Sequence, residues 1–264
     1  MAATDTLFDW SAGALVARDH GDTGGRALLV ADSFLVAEGR ALALGLHRDR
    51  FAGSAARQGF RDGAGLNAFW DAAVGILPAA GYWFPRFELA RVGEVLRLRF
   101  RLRPSPPLGA ELVVATAAGD PRTEPDVKGP DIERLGALRQ AAQRRGAQEA
   151  VILTDGAVCD GATTALLWWR EGTLFTPPFS LARVDSVAAR TVRGIAAAMR
   201  VPVDEAAVRP ADLEGAALWA VNALHGIREV TAWVDGPALG RDAERALAWR
   251  ARFAALARPI GGAR

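Results

Sequence analysis

The fold turns on Val127-Lys128-Gly129-Pro130-Asp131, because Lys128 is the only lysine among the 32 Lys and Arg residues of the chain. Arginine serves wherever only surface charge is needed. It does not serve where a neutral amine must act as nucleophile or base, because guanidinium stays protonated in proteins whereas a buried lysine can lose its proton. A lone lysine is therefore either an accident of an arginine-rich composition or a position that requires an amine. It lies near the end of a connector, Gly119 to Pro130, that contains Pro121, Pro125 and Pro130. That composition marks an interdomain linker, and pockets commonly form beside such linkers. The expected division is residues 1–118, a linker at 119–127, and a second domain at 128–264.

Working outward, Asp131 to Arg145 reads as a helix capped by Asp131 and ended by Gly146. Strands are expected at 150–153, 157–160, 166–169 and 173–175, the last two forming a hairpin around Glu171-Gly172. A helix follows at 186–199, a short helix or turn at 212–217, strands at 218–221 and 226–234, and a closing helix at 241–256. Upstream, residues 1–26 are mixed, with Gly13, Gly21, Gly24 and Gly25 marking turns. Strands are expected at 27–36, 41–46, 82–89, 94–102 and 111–117, and helices at 47–58 and 66–77. Within 94–102, Arg97, Arg99 and Arg101 alternate with Leu96, Leu98, Phe100 and Leu102. That pattern predicts a half-solvated sheet face.

Composition narrows the function classes. The formal net charge is +2, with acids and bases interspersed, so the electrostatic footprint of a nucleic-acid binder is missing. The single cysteine, Cys159, leaves no intrachain disulfide and fits a reducing compartment. Met1 to Trp10 carries Asp5 and Asp9 and no apolar core segment, unlike a signal peptide. No apolar run approaches the ~20 residues of a membrane span. A cytoplasmic protein without membrane partner or metal site is expected.

Several short motifs occur in a recognisable order. They are Asp32-Ser33-Phe34, Gly39-Arg40, His47-x-x-Arg50-Phe51, Lys128, Asp155-Gly156, Asp160-Gly161-Ala162, Leu174-Phe175-Thr176-Pro177-Pro178-Phe179, Ser186-Val187 and Asn222-Ala223-Leu224-His225-Gly226-Ile227-Arg228. Together they resemble the class IV aminotransferase family, the fold-type IV pyridoxal-phosphate enzymes, over nearly the whole chain. Asn222-Ala223-Leu224 and the short length lean toward its aminodeoxychorismate lyase branch.

The resemblance implies an α/β (α+β) fold in two domains, with a pyridoxal 5'-phosphate cleft between them, and a homodimer. It implies that Lys128 holds the cofactor as an aldimine and then shuttles protons. Arg50 is implied to bind the cofactor phosphate with its planar fork, the alternative being a surface helix arginine. Backbone amides of Ser186, Val187 and Ala188 at a helix start would add to that anion site. Asp160 stands where the family has a glutamate paired to the pyridine nitrogen; the alternative is a strand-end turn residue. Asn222 and Ala223 would place amides near the cofactor phosphate, and Leu224 and His225 near substrate, though His225 equally suits packing. Arg86 and Arg228 are candidates for a substrate carboxylate, and Ser33 for the pocket wall. Family residues are replaced at Ala165 and Ala189, and Glu133 stands where transaminases often place a tyrosine.

Three functions follow from this reading. The first is a lyase releasing pyruvate from 4-amino-4-deoxychorismate to leave 4-aminobenzoate. The second is a branched-chain or D-amino-acid type transaminase. The third is a non-catalytic relative, motivated by Asp160, Ala165 and Ala189.

Overall fold

The computed structural model describes residues 5–18 and 26–261. The turns expected at Gly21, Gly24 and Gly25 lie outside the described residues, as do Met1 to Thr4. The chain divides into two compact units. The first comprises Met1–Leu108, Val127–Pro130 and Leu256–Arg264; the second comprises Gly109–Asp126 and Asp131–Ala255. The Lys128 segment, expected to open the second domain, thus groups with the first unit.

The first unit contains β1 (Thr6–Ser11), β2 (Ala14–Arg18), β3 (Arg26–Ser33), β4 (Val36–Ala37), β5 (Arg40–Ala41), α1 (Leu44–Arg57), α2 (Gly63–Gly75), β6 (Tyr82–Trp83), β7 (Arg86–Val92) and β8 (Val95–Leu102). Its main sheet is antiparallel in the order β2-β1-β8-β7-β3. A small sheet joins a closing strand, Arg258–Pro259, to β5, β4 and β6. The β1–β2 hairpin turns at Ala12 and Gly13, both at positive φ (49° and 78°). Such a two-residue turn matches the right-handed twist of the strands. The sequence reading missed this hairpin, because an aspartate, Asp9, occupies a buried position of β1. The strand expected at 41–46 ends at Ala41, and α1 starts after Ala43, held in the left-handed region at φ 49°. Helix α2 begins earlier than expected because the Asp62 carboxylate accepts the Gly65 N–H at 2.7 Å. Pro85 separates β6 from β7, which were expected as one strand.

One face of the main sheet carries Phe87 and Phe100, packed on Phe34, Phe51, Phe69 and Trp70; Trp70 stacks on Phe87 at 4.0 Å. These rings are buried and hold α1 and α2 on the sheet; each contributes roughly 1.5–3 kcal/mol on burial. The other face is less solvated than the alternating arginines predict. Register places Asp9, Arg99 and Glu88 side by side on β1, β8 and β7. Arg99 is buried between them, 3.3 Å from Asp9 and 3.7 Å from Glu88, while Arg97 is exposed.

The second unit contains β9 (Glu111–Thr116), α3 (Ile132–Arg144), β10 (Glu149–Thr154), β11 (Ala157–Gly161), β12 (Ala165–Arg170), β13 (Thr173–Thr176), α4 (Val187–Ala198), β14 (Val203–Glu205), β15 (Ala217–Asn222), β16 (Gly226–Val234) and α5 (Ala243–Ala255). Its sheet order is β11-β10-β9-β16-β15-β12-β13-β14, with β9 parallel to both β10 and β16. Leu112, Val114, Val151, Leu166, Trp168, Leu218 and Val230 form the core on one face. On the other, Trp249 of α5 meets Trp169 and Trp219 edge to face at 5.2 and 5.5 Å. Asp131 occupies the N-cap position of α3 without capping it. Its carboxylate instead accepts the N–H groups of Thr123 and Glu124 and pairs with Arg134, tying down the connector. No helix among the described residues is long and apolar enough to cross a membrane.

Candidate functional site

Lys128 is placed by backbone, before any side chain is considered. Strand β3 is an edge of its sheet, so its outer amides need partners. The Ala31 N–H donates to the Lys128 carbonyl at 2.7 Å. Gly129 permits this approach: a Cβ there would lie 2.6 Å from the Val30 Cα and 2.8 Å from the Ala31 nitrogen. Its φ of +150° also disfavours a side chain. The only lysine is therefore fixed against β3.

On β3, Asp32 and Ser33 point to opposite faces. Asp32 is fully buried and organises α1. It accepts the Nδ1–H of His47 at 2.7 Å and takes Arg50 in a fork, Nε to Oδ2 at 2.8 Å and Nη2 to Oδ1 at 2.9 Å. Burial would raise the Asp32 pKa, but the charges and hydrogen bonds of Arg50 and His47 outweigh it and bring it down to about 2. Burial lowers the His47 pKa against the pull of Asp32, and the charges of Arg50 and Lys128 lower it further. His47 thus lies in the field of Lys128. Ser33 lies beside Arg86 of β7 in the register. Arg86 is engaged by Glu88 at 2.5–2.6 Å, and the register puts these two candidates for substrate contact on one sheet face.

In the second unit, Asp160 ends β11 as a buried carboxylate. Burial pushes its pKa up to about 7, against the pull of Arg122, Arg183 and the Gly161 N–H, with Glu149 pushing the same way as burial. The nearest cation is Arg122, whose Nη1 is 3.7 Å from Oδ2. Glu149 on the adjacent β10 is also buried; it accepts the Thr163 N–H and hydroxyl and the Ala150 N–H. Burial raises its pKa against those bonds and against Arg139 and Arg228.

Ser186 caps α4 by accepting the Ala189 N–H at 3.2 Å. The first-turn amides that follow, Val187 and Ala188 among them, have no helical carbonyl to bond and carry the positive end of the helix dipole. The turn between β15 and β16 is closed by the Asn222 side chain. Asn222 Oδ1 accepts the N–H groups of Leu224 and His225 at 3.1 and 2.8 Å, and Asn222 Nδ2 donates to the Thr163 carbonyl. An Asx-type turn thus takes up the His225 N–H and the Leu224 N–H, the latter expected near substrate; Ala223 sits at its tip. His225 Nδ1 accepts the Gly109 N–H at 3.2 Å. Burial, with Arg228 and Arg139 nearby, brings its pKa down to about 4. Its imidazole is therefore neutral near pH 7. Arg228 is buried on β16, and its Nε has no hydrogen-bond partner among the described residues.

Sequence reasoning quoted Asp32 and His47 only as parts of motifs and gave no role to Arg122 or Glu149. His47 and Arg50 were detectable as an i,i+3 pair on one helix face. Asp32, eighteen residues before Arg50, joins them only through the packing of α1 on β3.

No curated protein sequence matches the chain. Solved structures do match it in fold. An aminotransferase from Mycobacterium tuberculosis described as hypothetical, in its apo form, superposes with a TM-score of 0.80 at 21% identity, covering 96% of this chain and 98% of its own. A fold IV transaminase from Curtobacterium pusillum gives 0.77 at 21% identity, covering 95% and 97%. The branched-chain amino acid aminotransferase from Escherichia coli gives 0.77 at 17% identity, covering 98% and 100%. The amino-transferase class IV description matches residues 29–233, a span holding the Lys128 segment, the Asp32–His47–Arg50 cluster and Asp160, and the chain belongs to that family.

Proposed function

We propose that the chain is a pyridoxal-phosphate enzyme acting on a small amine that carries a carboxylate, with Lys128 as its catalytic amine. The observation that carries this is the sole lysine, pinned by its own carbonyl and by Gly129 against β3, within the electrostatic reach of His47. The donor set fits the cofactor: an amine for an aldehyde, an arginine and a capped helix start for a phosphate, and a buried carboxylate for a ring nitrogen. Lys128 would hold the aldehyde. Arg50 and the first turn of α4 would hold the phosphate, with Ser186, Val187 and Ala188 forming that helix start and Asn222 and Ala223 adding to it. Asp160 would face the pyridine nitrogen. Bound there, the cofactor supplies an electron sink for the carbon that loses its proton.

The protein's own part is proton handling and positioning. The Lys128 amine would move the proton of the substrate's amine-bearing carbon. Asp160, when ionised, would favour a proton on the ring nitrogen. Asp32 holds Arg50 in one orientation so that its charge is presented without reorganisation. Ser33, Arg86 and Arg228 are the residues proposed for substrate, with Arg86 and Arg228 reading its carboxylate.

Amino transfer to a keto acid is the leading reaction, supported by the family. Release of pyruvate from 4-amino-4-deoxychorismate is the second reading, favoured by Asn222-Ala223-Leu224 at the β15–β16 turn. Adding 2-oxoglutarate or pyruvate to the amine-loaded enzyme restores the starting absorbance in the first case and leaves it unchanged in the second. The test of the whole reading is incubation with pyridoxal phosphate, borohydride reduction and peptide mapping. A reduced pyridoxyl group on Lys128, absent in Lys128→Ala, is expected. A protein that stays colourless, or is labelled elsewhere, would return the chain to the non-catalytic reading.

A further inference from the structure

Asp160 is not a lone carboxylate. Arg122, from the connector after β9, turns its Nε and Nη2 onto Asp120 at 2.8 and 2.7 Å, a bidentate fork. Its Nη2 also reaches the Cys159 sulfur at 3.7 Å, and its remaining Nη1 points to Asp160 Oδ2 at 3.7 Å. The Arg122 side chain is 4% exposed and that of Asp120 28%. Asp160 Oδ1 accepts the Gly161 N–H at 3.1 Å. The charged groups acting on Asp160 are Arg122 and Arg183, which favour its ionised form, and Glu149, which opposes it. Arg183 donates instead to the carbonyls of Pro177, Pro178 and Leu181. Arg122 is therefore the cation aimed at the carboxylate, and Asp120 shares part of its charge.

We infer that Arg122 is a positioning residue that sets the charge of Asp160, with Asp120 tuning Arg122, so that the line Asp120–Arg122–Asp160 decides at what pH the buried carboxylate can serve a cofactor ring nitrogen. The last clause rests on the cofactor reading above; the charge coupling does not. An opposite charge 4–6 Å away lowers a carboxylate pKa by about 1–3 units. Removing Arg122 therefore leaves Asp160 protonated to higher pH. Removing the Asp120 charge frees Arg122 to act more strongly on Asp160, and the carboxylate ionises at lower pH. A purely structural clamp would give no such opposite signs.

The test is a carboxyl-carbon NMR titration of the cofactor-free full chain labelled at aspartate, the Asp160 signal being assigned by its loss in Asp160→Asn. Arg122→Met should raise the midpoint by about 1–3 pH units, Asp120→Asn should lower it, and Arg122→Lys should stay near the wild type. In a parallel measurement, the acid-side loss of pyridoxal phosphate affinity should move up in Arg122→Met. Midpoints that do not move, or that move the same way in Arg122→Met and Asp120→Asn, overturn the inference. If Arg122→Met does not fold, an unmoved midpoint in Asp120→Asn overturns it alone. Opposite shifts without trapping on Lys128 would sink the cofactor reading and leave the coupling standing. Trapping on Lys128 without the shifts would do the reverse.

Discussion

The cluster of Asp32, His47 and Arg50 shows how one buried carboxylate can arrange two residues of a helix. Its two neighbours give it three hydrogen bonds, one from His47 and two from Arg50, and its ionised form is favoured despite complete burial. Asp32→Asn leaves Arg50 without its counter-charge. The expected cost is about 3–5 kcal/mol, the range for breaking a buried pair by removing one partner, read from denaturant unfolding. A loss below about 1 kcal/mol would show that solvent already screens the pair. The sequence displayed two of these three side chains as a spacing of three on α1. It did not display the third, because a contact across 15 and 18 residues has no local pattern.

At the scale of elements, helices α1 to α5 were legible within a few residues at each end. Their apolar stripes, turn glycines and stop signals are local. The hairpin β1–β2 and the three-residue β14 were not. Asp9 breaks the apolar alternation of β1 and is tolerated because Arg18 and Arg99 neutralise it across neighbouring strands. The Lys128 segment is the element on which the proposed chemistry depends, and Gly129 is what lets it dock. Gly129→Ala places a methyl against the Val30 and Ala31 backbone, which cannot move aside without disturbing β3. The expected outcome is loss of borohydride trapping and a turnover lower by at least ~10²-fold, since a misplacement of about 1 Å costs that much. Far-ultraviolet circular dichroism should remain that of the wild type. Full trapping in this variant would mean that the amine does not need its backbone anchor.

For the whole molecule, two aspartates of opposite behaviour shape stability against pH. Asp32 has its folded pKa depressed to about 2, so its contribution is present above about pH 4 and is lost as pH falls toward 2. Asp160 has its folded pKa raised to about 7. The folded chain therefore holds that proton while the unfolded chain releases it near pH 4, and stability falls as pH rises from there to 7. At about 1.4 kcal/mol per pH unit, that fall is on the order of 4 kcal/mol. Thermal melts should show a decline between pH 4 and 7 that flattens in Asp160→Asn; an unchanged slope would place the Asp160 pKa near its ordinary value.

The amino-acid sequence by itself determined the five helices, most of the strands, the uniqueness of Lys128 and the class IV motifs, because each of these is local in the chain or a matter of composition. Only the tertiary structure decided that Lys128 docks on β3, that Arg99 is buried between carboxylates, that Asn222 takes the amides of its own turn, and that Asp160 shares Arg122 with Asp120. Those are charge and hydrogen-bond balances between residues far apart in sequence, and burial, which packing alone sets, fixes their strength.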